Sequence, residues 1–404
     1  MPIPSPFHER TAPLCTSYRW KDWAGYYAVC SYDTTHDREY FAFREAAGMI
    51  DVTPLYKYEV YGSDAAALLS RMMVRNVRKL KVGRVGYTCW CDDAGKVVDD
   101  GTVSRLDEDY YRVTAADPTL HWLHGLARGY DVTIEDSSRR MAAVAVQGPT
   151  SRDVLASCSD AKLDKLRFFR VTRAELDGLD VWISRTGYTG DLGYEVWVES
   201  DRAVALWDRL IDAGRAWGLE PAGLDALDMT RIEAGFVMLH VDYFSSTKVI
   251  LESRKSTPYE IGLGWAVKLE RPPFVGQAAL VAEKRDGSVW QLVGLEMDWP
   301  ELEALYERYD LPPALAAEAC REPLPVYADG RQVGQVTSHT WSPILKRMIA
   351  LASVRTPWAG EGTTVQVEHT VEYERHTVSA RVTPTPFFDP PRKKAIVKAK
   401  VKDG

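Results

Sequence analysis

The feature that most constrains the fold of this chain is a change of sequence pattern near residue 285. Before it, stretches that alternate like β-strands are interspersed with stretches of helical periodicity. After it, short β-rich runs follow one another, separated by D-G and G-E-G turns. This order predicts a region of mixed helices and strands followed by a small barrel or sandwich. We therefore divide the chain into residues 1–285, a β domain at 286–385 and a basic tail at 386–404.

Several stretches predict particular elements. Residues 37–48, which end at Gly48, and residues 118–128 have the periodicity of helices. Residues 85–116 contain short β-rich runs broken by DDAG and LDED, which predicts a meander of antiparallel strands. Residues 177–200 predict two strands around a glycine-rich turn. The tail is Pro-led and basic, and we expect it to be loosely ordered.

The composition excludes several classes of function. A formal net charge of −7 leaves no excess of positive charge for a general nucleic-acid binder. We expect neither a membrane span nor a secretory signal, because no apolar run has the required length. The 6 cysteines are scattered, which is typical of a reducing cytoplasm rather than of a disulfide framework. Cys89 and Cys91 in CWC are too close for a zinc pair, so we expect no metal site.

Two acidic motifs are candidates for a site, and no hydrolase elbow, P-loop or zinc-protease motif accompanies them. The stretch RTGYTGDLGYEV, residues 185–196, places three glycines ahead of Glu195. It is either a β-hairpin with a surface glutamate or a site for a flat polar ligand. In the second case the glycines would let the backbone come close to the ligand. VVDDG contains Asp99 and Asp100, which are either solvated or placed for proton transfer. The 13 tryptophans form either an aromatic core or a flat-walled pocket.

Seven segments in a fixed order resemble the folate-binding aminomethyltransferase family, typified by the T-protein of the glycine-cleavage system and including folate-dependent demethylases. The resemblance covers about residues 10 to 390. The segments are REAAGMIDV (44–52), GKVVDDGTV (95–103), AVQGP (145–149), ISRTGYTGDLGYEV (183–196), GLDALDMTRIEAG (223–235), GLGWAVKLERPPFVGQAAL (262–280) and VTSHTWSPILKRMIALASV (336–354).

The resemblance implies a three-lobed α+β fold with tetrahydrofolate in a central channel and a β-barrel as the third lobe. Glu195 matches the acid that contacts the pterin, whose N–H groups a carboxylate recognises. Asp99 and Asp100 match the family's paired aspartates, and the first of the pair is the one credited with activating the folate amine.

Three further residues are expected near the folate. Tyr87 matches a family aromatic, and Tyr188 lies in the glycine-rich stretch itself. Arg231 matches a family arginine. It either pairs with the glutamate carboxylates of folate or pairs with Asp228 within its own helix.

The chain departs from the family in three places. Leu227 replaces one arginine, MLHVDYF replaces L-Y-G after E-A-G, and SHTWSP replaces S-G-T-F-S-P. In the T-protein these regions face the substrate side, so the resemblance implies the same cofactor with a different one-carbon donor. The candidate donor-side residues are His240, Tyr243, His339 and Trp341, although the two histidines can equally be structural.

We therefore expect a demethylase-type transferase that moves a one-carbon group from a small methylated donor to N5 of tetrahydrofolate. The sequence does not distinguish an O-, S- or N-methyl donor. An alternative is a glycine-cleavage aminomethyltransferase, which needs a lipoylated carrier protein; the intact aspartate pair favours it and the altered motifs oppose it. A third hypothesis is a folate-binding protein without catalysis, but its K-G-C-Y-x-G-Q-E motif is missing.

Overall fold

The computed structural model describes residues 1–314 and 318–396 of the chain. The described residues form two compact units. The first contains residues 1–88, 100–230 and 389–396, and the second contains residues 89–99, 231–314 and 318–388. The predicted α+β fold with a C-terminal β-barrel is confirmed. The predicted division at residue 285 stays a prediction, and residues 397–404 of the predicted tail lie outside the described residues.

The first unit is built on two larger sheets and a hairpin. The hairpin pairs β1 with β2. One sheet has five strands in the order β5-β6-β7-β4-β8, and the other has six in the order β10-β11-β12-β9-β3-β13. The predicted meander corresponds to β5, β6 and β7. The strands are β1 (Trp20–Trp23), β2 (Tyr26–Val29), β3 (Ala47–Asp51), β4 (Tyr56–Tyr61), β5 (Arg84–Cys91), β6 (Val97–Asp107), β7 (Tyr110–Ala115), β8 (Thr133–Asp136), β9 (Met141–Gln147), β10 (Val171–Leu176), β11 (Leu179–Ser184), β12 (Gly193–Glu199) and β13 (Leu219–Pro221).

Helices cover one face of the six-stranded sheet. Leu206, Trp207 and Leu210 recur at helical spacing on α6, and they pack on inward-facing residues of β12 such as Tyr194 and Val196. Because side chains alternate along a strand, the residues between these point to the opposite face of the sheet. The helices that begin in this unit are α1 (His8–Leu14), α2 (Asp37–Glu45), α3 (Ala65–Met72), α4 (Leu120–Leu126), α5 (Ser151–Cys158), α6 (Ala203–Gly214) and α7 (Leu224–Glu233).

The helix predicted at residues 37–48 ends earlier than its glycine. Helix α2 ends at Glu45, and Gly48 lies inside the following strand β3. A Cβ atom on Gly48 would come within 2.5 Å of the ring of Phe43. This glycine is therefore required for close packing of helix on strand, rather than for ending the helix.

The second unit contains a closed six-stranded barrel with the order β14-β17-β16-β15-β18-β19. Asp298 caps the helix that follows β14, because its side chain accepts a hydrogen bond from the Glu301 amide at 3.0 Å. The elements are α8 (Gln277–Asp286), β14 (Trp290–Met297), α9 (Trp299–Glu307), β15 (Leu324–Ala328), β16 (Arg331–Ser342), β17 (Arg347–Arg355), β18 (Thr364–Val371) and β19 (Glu374–Thr383). Short 3₁₀ helices in the two units are Val77–Lys79, Ser200–Arg202, Arg215–Trp217, Glu252–Arg254, Gly264–Ala266, Thr356–Trp358 and Pro391–Lys393.

Candidate functional site

Glu195 projects from the face of the six-stranded sheet that the α6 core does not cover. It lies on β12 between Tyr194 and Val196, which both point into that core. Its cross-strand neighbours are Ser184 on β11 and Ala145 on β9. Both neighbours are small, so they leave room above the sheet beside the carboxylate.

The carboxylate of Glu195 is partly buried and is surrounded by hydroxyl groups. The Ser184 hydroxyl donates to Glu195 Oε2 at 3.4 Å, and the Ser184 and Thr186 hydroxyls lie 2.7 Å apart. Burial raises the pKa of Glu195, while the hydrogen bonds from Thr186 and Ser184 oppose this rise. Within residues 1–314 and 318–396, Glu195 forms no ion pair. The carboxylate therefore remains available to N–H donors of a ligand.

Two of the three glycines before Glu195 make room for Gln147. A Cβ atom at Gly187 would lie 1.8 Å from Gln147 Oε1, and one at Gly193 would lie 2.1 Å from it. The Gln147 amide donates to the carbonyls of Thr186 and Tyr194 at 3.1 and 3.2 Å. These glycines thus admit a protein side chain, which is a different role from the approach to a ligand ring expected from the sequence.

Asp191 anchors the same stretch through two arginines from distant parts of the chain. Its buried carboxylate receives Arg392 Nε and Nη2, each at 2.7 Å, and Arg44 Nη1 lies 3.7 Å away. Arg44 also donates to the Thr189 carbonyl at 2.9 Å. At the beginning of the stretch, Arg185 Nη2 donates to the carbonyls of Arg392, Lys393 and Ala395. The described end of the basic tail is therefore held in place, unlike the loose order expected for it.

The predicted aspartate pair lies on β6, and its two side chains have different surroundings. Asp100 is partly exposed, and the Tyr87 hydroxyl donates to its Oδ2 at 2.6 Å. Asp99 is 0% exposed. Adjacent residues of a strand point to opposite faces, so these carboxylates do not act as a side-by-side pair. Tyr188 is partly buried in the loop that precedes Glu195.

Arg231 forms a buried ion pair whose partner the sequence did not indicate. Its Nη1 lies 2.5 Å from Asp242 Oδ2, and neither side chain is exposed. Asp242 also accepts hydrogen bonds from the Met238 amide at 2.8 Å, from Ser338 Oγ at 3.0 Å and from Thr337 Oγ1. This network gives Arg231 a structural role, and its predicted contact with folate stays a prediction.

The tight turn before Asp242 presents one of the predicted donor-side residues. His240 is exposed and has a φ of 67°, a conformation that few non-glycine residues adopt. Its amide donates to the Tyr243 carbonyl at 2.8 Å. Tyr243 itself is 1% exposed, so in this turn His240 is the side chain that a donor molecule can reach.

His339 and Trp341 point away from the turn that carries His240. Strand β16 directs Ser338 toward Asp242, and the hydroxyl of Ser342 donates to Glu233 at 2.5 Å. Trp341 lies on the opposite face of the strand and packs on Trp299 with ring centroids 4.8 Å apart, and the alternation along the strand places His339 on that face too. The structure therefore does not bring the four predicted donor-side residues together.

His339 makes the stability of the barrel unit depend on pH. Burial and the nearby His369 lower the pKa of His339 from 6.5 to about 4, and burial also lowers the pKa of His369, with His376 as a second cause. Between pH 6.5 and 4 the unfolded chain binds protons that the folded chain does not, so stability falls as the pH falls through this window. We expect His339 to account for a loss of about 2 kcal/mol between pH 6.5 and 5 in urea unfolding. His339→Gln should remove most of this slope, and an unchanged slope in that variant would contradict the assignment.

Sequence reasoning missed four of the side chains that organise this region. Gln147 and Asp191 lie inside quoted motifs, and their polar character within apolar or glycine-rich stretches was the available signal. Asp242 lies in the altered MLHVDYF segment. Arg392 in the tail had no signal, because its partner lies 201 positions away in the chain.

Two absences concern only the part of the chain that the structure describes. There, no helix is long and apolar enough to cross a membrane. Across the same residues, no group of three or more His, Cys, Asp or Glu side chains is placed to hold a metal ion.

Comparisons with known protein families cover most of the chain. Residues 7–271 match the GCVT N-terminal domain, and residues 312–389 match the glycine cleavage T-protein C-terminal barrel domain. The crystal structure of glycine cleavage system aminomethyltransferase T from Bartonella henselae is similar, with a TM-score of 0.80 and 23% identity over 96% of this chain and 99% of that one. At this identity the likeness shows the fold.

Two relatives carry different names. An aminomethyltransferase of Bacillus subtilis is 35% identical over 87% of this chain and 90% of that protein. A trimethylamine-oxide aldolase of Ruegeria pomeroyi is 33% identical over 95% of this chain and 47% of that protein. This chain thus spans about half the length of the second relative and nearly all of the first.

Proposed function

Because the chain belongs to the glycine-cleavage T-protein (GCVT) family, we propose that it is an enzyme that transfers a one-carbon group from a small methylated donor to N5 of tetrahydrofolate. Family membership supports a folate-dependent transferase, as the sequence motifs indicated. The observation that carries the cofactor assignment is the partly buried carboxylate of Glu195, which faces hydroxyl groups and no cation among the described residues. A pterin ring presents N–H donors that fit such an acceptor.

The residues of the site divide into binding and proton-handling groups. When bound, tetrahydrofolate supplies a nucleophilic amine that accepts the one-carbon group. Glu195 would accept the pterin N–H groups, with Tyr188 in the loop that precedes its strand and with Tyr87 contributing an aromatic wall. Asp99 would hold the proton that the reacting amine or the leaving group exchanges, and Asp100, bonded to Tyr87, would orient the tyrosine.

The segments on the predicted donor side of the site support a small methylated molecule as the one-carbon donor. The segment around Asp242 and the SHTWSP segment differ from the T-protein pattern, whereas the motif that carries Glu195 is kept. A relative named trimethylamine-oxide aldolase matches nearly the whole of this chain, which supports an N-methylated donor. His240, exposed on its strained turn, is the residue that we propose contacts the donor.

The donor class is tested with purified protein, tetrahydrofolate and a panel of O-, S- and N-methylated compounds. Formation of 5-methyltetrahydrofolate from an N-methylated amine, or of 5,10-methylenetetrahydrofolate from an N-methylated N-oxide, whose N–O bond takes up the two electrons, supports the proposal. The product distinguishes methyl from methylene transfer. A protein that binds folate tightly but turns over no donor would instead be a folate-binding protein without catalysis.

A second candidate is the aminomethyltransferase reaction with a lipoylated carrier protein. It is favoured by the 35% identity to the Bacillus subtilis aminomethyltransferase over 90% of that protein. Turnover that requires a lipoylated carrier would establish it and would exclude the small-donor proposal.

A location in the cytoplasm stays a prediction, supported by the six free cysteines.

Replacement of Glu195 by glutamine should weaken binding of tetrahydrofolate by about 10- to 100-fold, because it removes charge from hydrogen bonds in a partly buried site. The pKa of Glu195 is raised in the free protein, so wild-type affinity should weaken as the pH falls through that raised value. The Glu195→Gln variant should lack this pH dependence. Titration calorimetry measures both effects, and Glu199→Gln, at the exposed end of β12, is the matched control.

Equal affinity of wild type and Glu195→Gln for tetrahydrofolate would remove the support for the cofactor site. So would a pH dependence that survives unchanged in the variant.

A further inference from the structure

The C-terminal segment 389–396 and the glycine-rich loop 185–195 hold each other at two points. Near the end of the loop, Asp191 receives both Arg392 Nε and Arg392 Nη2 at 2.7 Å. At its beginning, Arg185 Nη2 donates to three backbone carbonyls of the tail, the nearest being that of Ala395 at 2.7 Å. The two arginines thus make reciprocal contacts, one to a carboxylate and one to backbone.

The contact at Asp191 is the stronger of the two. A planar guanidinium that meets a carboxylate through two parallel hydrogen bonds fixes both distance and orientation. The side chain of Asp191 is 0% exposed with Arg392 in place, so the guanidinium covers the carboxylate as well as pairing with it. Arg44, the other cation near it, is 3.7 Å away and is already bonded to the Thr189 carbonyl. Loss of Arg392 would therefore leave a buried carboxylate with too few partners.

Hydrogen bonds and the backbone of the loop together connect this contact to Glu195, beginning with the Asp191 amide, which donates to the Thr189 hydroxyl at 3.4 Å. The hydroxyl of Thr189 donates to Gln147 Oε1 at 3.1 Å. The Gln147 amide in turn holds the Thr186 carbonyl at 3.1 Å. The Thr186 hydroxyl lies 2.7 Å from that of Ser184, which donates to Glu195. A shift of the loop at Asp191 would therefore change the hydroxyl groups around the Glu195 carboxylate.

We propose that Arg392 is a positioning residue for the folate site: it holds loop 185–195 in the conformation in which Glu195 receives the pterin. The inference rests on the proposed function for the identity of the ligand. The contact itself is independent of that identity. Arg392 does not touch Glu195 or the reacting atoms, so its effect passes through the loop.

The expected result is a defect in the loop and in folate affinity at a temperature where the variant is fully folded. In Arg392→Ala, amide hydrogen exchange in a peptide that covers residues 186–195 should be at least about tenfold faster, and the Kd for 5-formyltetrahydrofolate should rise at least about tenfold. Arg392→Lys, which keeps the charge but not the bidentate geometry, should fall between wild type and Arg392→Ala. Lys394→Ala is the matched control, because Lys394 is exposed and pairs with Asp389, which lies in the tail itself.

The outcomes separate the two levels of the proposal. If Arg392→Ala changes the melting temperature but neither loop exchange nor Kd, Arg392 is merely structural and the inference is overturned. If wild-type protein does not bind 5-formyltetrahydrofolate, the proposed function fails, and loop exchange alone still decides whether Arg392 positions the loop. Should Arg392→Ala not fold, Arg392→Lys and Asp191→Asn provide the same two measurements.

Discussion

The substitution Asp99→Asn should lower turnover by about 10²- to 10⁴-fold, the range typical for loss of a general acid or base. The substitution keeps the size and shape of the Asp99 side chain and removes its ability to take up a proton. Because the side chain is 0% exposed, a charge there acts in a medium that screens it poorly. The affinity for tetrahydrofolate should change by no more than a few fold, so the effect should appear in kcat.

Asp100→Asn is the comparison that makes this result informative. Asp100 is partly exposed and accepts a hydrogen bond from the Tyr87 hydroxyl at 2.6 Å, so its loss should loosen Tyr87 and raise the KM for folate. A variant with asparagine at 99 that retains full activity would exclude the proton role. A large loss of kcat in Asp100→Asn alone would move that role to the neighbouring aspartate.

The substitution Asp242→Ala should destabilise the barrel-containing unit by about 3–5 kcal/mol, the cost of leaving the buried Arg231 cation without this partner. Arg231 and Asp242 both have 0% exposed side chains, and no solvent can replace the lost carboxylate. The same change removes the acceptor of the hydroxyl groups of Thr337 and Ser338. Urea unfolding, followed by far-UV circular dichroism, measures the free energy of unfolding.

Removal of both charges is the control for that experiment. Arg231→Met combined with Asp242→Leu removes both members of this ion pair, so the double variant should be more stable than Asp242→Ala. If the two variants were equally unstable, the loss would come from packing of the turn rather than from the ion pair. A double variant near wild-type stability would also show that Arg231 is not needed to fold the unit.

Local pattern was sufficient to predict those parts of the structure that depend on neighbours in sequence. Strand alternation and turn residues predicted the meander of β5, β6 and β7 and the strands of the barrel, because both signals act within a few residues. The position of Glu195 after a glycine-rich turn was predicted in the same way. The early end of α2 was not, since Gly48 is required by contact with Phe43 and not by the helix terminus.

Contacts between distant segments could not be predicted from one sequence. Arg231 was expected to pair with folate or with Asp228 in its own helix, and the structure adds a carboxylate partner that was not expected, Asp242 in the loop beyond that helix. The glycines at 187 and 193 were expected to admit a ligand, and they admit Gln147. In each case the alternative partners have similar chemistry, and only the folded arrangement distinguishes them.

Side chains of strand β16 point alternately to two different parts of the second unit. Ser338 and Ser342 bond to the segment that carries Glu233 and Asp242, whereas Trp341 between them packs on the barrel core. The register shift between Val336 and Ser338 sets which residues fall on which side. Point substitutions can therefore change the hydrogen bonds to Glu233 and Asp242 without changing the packing of the barrel core, and the reverse. Insertion or deletion of one residue would exchange the two sets of side chains at once.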